Sequence, residues 1–259
     1  MSAQSLLDAL PIDAFVAFAV FCRVGAFFMT APAFGDFALS PRLRLATALA
    51  VAAAMAPAAA SHYPDWAGGA ALPLMTSLIL TEILAGAFLG LVARAFVSAL
   101  NVAGQVAALQ SGFSLAQIFD PSQQLQGAIV AGFFAVLGTT LIFATGLHHV
   151  LLLALADSYA LMAPGRGINI GDMSEAVTGA VGDAFSLGVR LAAPFILFGL
   201  VFQAGVGVLS RLMPQAQVFF MLMPANLAIG LLLLMLTTGL IMSAFIASLD
   251  AFLAPFISR

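Results

Sequence analysis

ALPLMTSLILTEILAGAFLGLVARAFVSALNVAGQVAAL, residues 71–109, carries only two charged side chains, Glu82 and Arg94. At about 1.5 Å per residue, one continuous helix over this run is about 60 Å long, against a bilayer hydrocarbon core of about 30 Å. Tilt does not absorb a twofold excess. The run is therefore either broken or continues past the lipid into surroundings covered by protein. Gly86, Gly90 and Gly104 permit both outcomes, as does Pro73, and further along the chain Pro194 and Pro224 do the same.

The rest of the chain has the same character. Hydrophobic residues make up 63% and charged residues 7% of its 259 positions, where soluble domains carry about 25% charged residues. Such a chain lives in lipid or inside an assembly that shields it. Apolar runs fall near 12–31, 43–60, 71–109, 127–160, 176–210 and 218–257, which predicts an all-α, membrane-associated chain of about six hydrophobic segments forming one unit over residues 1–259. Pro32 to Pro41, the 61–69 stretch, the 110–126 connector, residues 163–172 and Pro214 separate them. No internal repeat stands out.

A net charge of −3 implies no nucleic-acid partner. All eight basic residues are Arg, which excludes a Walker phosphate loop and a Schiff-base lysine. The single Cys22 forms no intrachain disulfide. The acidic start, MSAQSLLDALPID, lacks the basic n-region of a secretory signal, so the first apolar run is expected to stay in the mature protein. Arg42 and Arg44 point the first connector toward the cytoplasm, with the N-terminus outside.

Arg23, Glu82, Arg94 and Arg190 lie well inside apolar runs. A charge at the centre of a membrane helix costs about 2.5–3.5 kcal/mol, so each is expected to face protein or water. Glu82, Gly86, Gly90 and Arg94 are spaced by four and share a helix face, with the glycines allowing close helix approach. Glu82 and Arg94 are about 18 Å apart along that axis and cannot pair with each other. The ordinary reading is a buried contact that fixes helix packing, and the sharper one is a proton or ion path. Relays use several acids, and Glu82 is the one acid deep in a run, which favours packing.

His148 and His149 are adjacent, so on a helix they point about 100° apart and do not chelate. With no third histidine nearby, no metal or other cofactor is expected. There is no G-x-S-x-G and no strand–helix alternation to carry a hydrolase, so no enzyme is expected. Met221 and Met223 sit among phenylalanines; such residues usually fill a core, but flexible methionines also suit a partner-facing or pore-facing surface.

The connector QSGFSLAQIFDPSQQLQ, residues 110–126, mixes Phe113, Ile118 and Phe119 with five glutamines and Asp120. On its residues alone it reads as a turn whose phenylalanines rest on neighbouring helices.

Four segments resemble one family. FCRVGAFFMTAPAFG with SPRLRLATALAVAAAMAP (21–57), EILAGAFLGLVARAFVSALNVAGQVAALQSGFSLAQIFDPS (82–122), GLHHVLLLALADSY (146–159) and RLMPQAQVFFMLMP (211–224) look like successive parts of the FliR family of type III export-gate proteins. The resemblance covers nearly the whole chain. Virulence-secretion relatives share the plan, but the GHH segment and the Q-x-F-D-P loop look flagellar.

The resemblance implies long, bent helical hairpins, much of them outside the bilayer plane, in a helical multi-subunit gate at the bacterial inner membrane. It implies FliP-like and FliQ-like membrane subunits, FlhB-like and FlhA-like export components, and unfolded flagellar proteins as substrates. It also implies that the connector projects into the channel as a plug. Phe113, Ile118 and Phe119 would then exclude water, Asp120 would stay hydrated when the gate opens, and Gly112 and Pro121 would set the bends. The rival from another class is a stand-alone proton-coupled transporter with Glu82 and Arg94 on its path.

Overall fold

The computed structural model describes residues 3–35, 40–64, 72–113, 128–167, 169–213 and 218–254. Among the described residues seven helices run in order: α1 (Ala3–Thr30), α2 (Pro41–Ala60), α3 (Leu72–Gln110), α4 (Ala128–Ala144), α5 (Leu147–Leu161), α6 (Ile170–Leu212) and α7 (Val218–Leu253). No strand occurs among the described residues.

The over-long runs resolve in two ways. Residues 72–110 form one helix of 39 residues, and α6 and α7 have 43 and 36 residues. At about 1.5 Å per residue each exceeds the lipid core by more than half. The run 127–160 instead breaks. Gly146 takes a left-handed φ of 77° and ends the hydrogen-bonded ladder, so α4 and α5 meet at a 74° bend. A residue with a Cβ resists that backbone. Six apolar runs thus become seven helices among the described residues. Four helices among the described residues are long and apolar enough to cross a membrane, or five if the bent α4–α5 pair counts as one span.

Local signals place the helix ends. Ser40 caps α2, its side chain accepting from the Leu43 N–H, and Pro41 fills the first helical position, where no N–H is needed. α3 ends at Gln110, and Gly112, two residues on, has a φ of 78° that lets the chain turn off the helix.

The chain forms two compact units. The first comprises residues 1–95, 142–180 and 251–259, and the second 96–141 and 181–250. In the first, Phe27, Phe28, Leu78, Leu151 and Leu155 are fully buried, and the Phe28 and Phe34 rings stack with centroids 4.7 Å apart. In the second, Leu100, Phe134, Phe195 and Phe245 fill the centre. Outside these centres the surface is greasy: only 22% of the most apolar window of α6, and of α7, is buried. Apolar helices left this bare require lipid or neighbouring chains to cover them.

Candidate functional site

The first unit holds a buried polar knot built on Arg23. α1 carries Arg23 inward with 1% of its surface exposed, and α3 brings Glu82 to it, fully buried. Arg23 Nε donates to Glu82 Oε2 at 2.7 Å and Nη2 donates to Oε1 at 3.0 Å, a two-pronged pair. Nη1 donates to Ser158 Oγ at 3.1 Å, and Nη2 also donates to the Met162 carbonyl at 2.9 Å, at the end of α5. The guanidinium lies 4.1 Å from the centre of the Tyr159 ring, in cation–π contact. One planar cation therefore ties α1, α3 and α5 together. The fork geometry of arginine, which lysine lacks, makes this possible.

Packing forces the approach. A Cβ on Gly86 would lie 2.9 Å from the Arg23 carbonyl carbon, and one on Gly90 would lie 2.7 Å from the Ala31 nitrogen. The glycine strip of α3 is thus the groove in which the backbone of α1 rests, and only a glycine surface lets Arg23 reach Glu82. Tyr63, from the turn after α2, is buried beside the knot, its ring 6.3 Å from that of Tyr159. Burial first, and then the Glu82 carboxylate, push the Tyr63 hydroxyl far above the usual tyrosine range, so it stays neutral.

The knot gathers two of the four charges singled out in the sequence. Arg94 is elsewhere on α3, half-buried, with Nη2 3.5 Å from the Gly35 carbonyl. Arg190 lies on an exposed face of α6. Sequence reasoning did not find Ser158, Tyr159 or Tyr63; the polar D-S-Y interruption in apolar α5 was the available signal. His148 and His149 stack on each other with ring centres 3.9 Å apart at the α4–α5 bend, and no group of three or more metal-binding side chains occurs among the described residues.

The second unit fixes the base of the connector. Gln110 and Ser111 end α3 where α6 and α7 each present a glycine. A Cβ on Gly199 would lie 2.6 Å from Gln110 Cδ, and one on Gly230 would lie 2.6 Å from Ser111 Oγ and 3.1 Å from its Cα. Ser111 and Gly112 are buried and Phe113 is half-buried. Ile118, Phe119, Asp120 and Pro121 lie outside the described residues. On α7, Met221 is exposed and Met223 half-buried.

Comparison with known proteins places this architecture. Residues 14–252 match the family described as bacterial export proteins, family 1. The flagellar biosynthetic protein FliR of Caulobacter vibrioides is 38% identical over 88% of this chain and 90% of its own length. That of Aquifex aeolicus is 30% identical over 85% of this chain and 83% of its own. That of Escherichia coli is 28% identical, over 82% of this chain and 80% of its own. Matched over nearly its whole length in both comparisons, the chain belongs to the bacterial export proteins of family 1, the family of the flagellar biosynthetic protein FliR.

Proposed function

We propose that this component of the flagellar export apparatus is a channel-forming subunit of the export gate, and that its 110–126 connector helps to close the passage for unfolded flagellar proteins. It works at the bacterial inner membrane with FliP-like and FliQ-like subunits, and with FlhB-like and FlhA-like export components beside them. It is not an enzyme.

The observation that carries this reading is the fixed exit of the connector. Gln110 and Ser111 are held against Gly199 and Gly230, and Gly112 turns the chain off α3 in the left-handed region. A plug needs a rigid base if its tip is to return to one place. The connector's composition fits two tolerable states: its phenylalanines and isoleucine exclude water when packed, and its glutamines and Asp120 accept hydration when the passage opens. The exposed apolar surfaces of α6 and α7 leave room for neighbouring subunits and lipid. Glu82 is occupied by Arg23 in a packed knot, which supports a structural rather than a relay role for that pair.

The test is deletion of residues 112–121 in cells expressing the complete gate. The expected result is increased leakage of small ions with the gate still assembled. Unchanged conductance sinks the plug.

A further inference from the structure

Arg190 stands at the middle of α6, 20 residues after Ile170 and 22 before Leu212. At about 1.5 Å per residue, each end of the helix is about 30 Å away. Its side chain is exposed and makes no hydrogen bond or ion pair with any described residue. The acids described in its own unit are Asp183 and Asp250. Asp183 is seven residues back on the same helix, about 10 Å along the axis, out of bonding reach. Neither acid bonds to Arg190.

A second feature adds to the unmet demand. Pro194, inside α6, has no N–H to give to the Arg190 carbonyl one turn earlier. The same turn therefore presents a free guanidinium and a carbonyl without its helical donor. On the C-terminal side of them the helix face is apolar. Asp183, Arg190, Leu197 and Val201 follow a seven-, seven- and four-residue spacing that keeps them on one side. Leu197 and Val201 are 65% and 74% exposed. A lone cation set in such a surface is not tolerated by hydrocarbon.

We propose that the α6 face centred on Arg190 is an interface for an apolar helix of a neighbouring membrane subunit that carries a carboxylate opposite the guanidinium. The inference rests on the reading that this chain works in a multi-subunit gate, and it adds the surface and the chemistry of the partner. Leu197 and Val201 supply the apolar contact. Arg190 supplies a forked donor that a carboxylate fits with two bonds. The carboxylate fixes the helical register, because a shift of one turn leaves both charges unpaired in an apolar seam.

The experiment uses the full chain, tagged and co-expressed with the membrane subunits of the export apparatus. Arg190→Met and Arg190→Glu are expected to lower co-purification of those subunits about thirtyfold or more, the loss seen when one partner of a desolvated charge pair is removed. Arg190→Lys, which keeps the charge, is expected to retain more of it than Arg190→Met. The amount of chain in the membrane is expected to be unchanged, because Arg190 makes no polar bond with any described residue. Arg166→Glu, exposed between α5 and α6, is the silent control. Replacing one intramembrane acid of a co-purifying subunit with Lys is expected to restore Arg190→Glu. If Arg190→Met co-purifies like the parent chain, the interface is wrong, and a changed ion leak in that case places Arg190 in an aqueous passage instead. If no acid exchange restores Arg190→Glu, the carboxylate is wrong. If the parent chain itself captures none of those subunits, the proposed function falls together with the interface.

Discussion

Arg23 and Glu82, 59 positions apart, close a two-pronged ion pair with both side chains out of solvent. Removing either partner leaves the other charge buried and uncompensated, at a cost of about 3–5 kcal/mol. Arg23→Ala and Glu82→Ala are therefore expected to lower the thermal stability of the purified export gate sharply. A paired exchange of both for apolar residues, Arg23→Met with Glu82→Met, is expected to recover much of the loss. The check is thermal aggregation in detergent, and a double variant as unstable as the sum of the singles contradicts the account. Arg23→Lys keeps the charge but not the fork, and is expected to fall between the parent and Arg23→Ala.

Gly86→Ala and Gly90→Ala test the groove. In an exposed helix a Gly→Ala change gains about 1 kcal/mol in propensity. Here the new methyl meets the backbone of α1, which cannot yield as a side chain can. Both variants are expected to be destabilising in the same thermal assay, with the Arg23–Glu82 contact disturbed. Gly132→Ala, where a Cβ meets nothing within 4 Å, is expected to be neutral or slightly stabilising.

The connector base yields an ordered prediction. Gly230→Ala strikes Ser111 Cβ, which is fixed directly to the backbone, whereas Gly199→Ala strikes mainly the flexible end of Gln110. Ion leakage through the assembled gate is expected to rise more for Gly230→Ala than for Gly199→Ala. Gly205→Ala and Gly239→Ala, in open space on the same two helices, are expected to leave it unchanged. Adding Gln110→Ala to Gly199→Ala removes the atoms it strikes and is expected to restore closure. A leak from all four single glycine variants alike contradicts the arrangement.

Gly146 holds the α4–α5 bend at a φ of 77°. Gly146→Ala places an L-residue in that region at about 1–2 kcal/mol, and Gly146→Asn, which tolerates it better, is expected to cost less. Comparison of their gate stabilities checks this, and equal loss from both rules out the backbone explanation.

The helical, lipid-compatible character of the chain was legible because composition and run length alone demand it. The need of Glu82 for a partner was legible too, since lipid penalises an unpaired charge wherever it sits. Its identity was not: Arg23 lies two helices upstream, and no periodicity within α3 points to it. The break at Gly146 was hidden because the apolar run continues on both sides with no proline to mark it. The connector's mixed composition drew attention to residues 110–126, but Gly199 and Gly230 passed as ordinary small residues of long helices. A socket is defined by what enters it, and that is a property of the folded chain.

The Arg23 knot also sets an order of events during synthesis. Arg23 leaves the ribosome 59 residues before Glu82 and 135 before Ser158. Until then α1 carries a cation that lipid rejects, so it cannot settle as an independent anchor. A nascent chain stopped after residue 40, before α2 begins, is expected to wash out of membranes in alkaline carbonate, and one stopped after residue 110 to resist. The first helix made is thus held in abeyance until the third is threaded beside it.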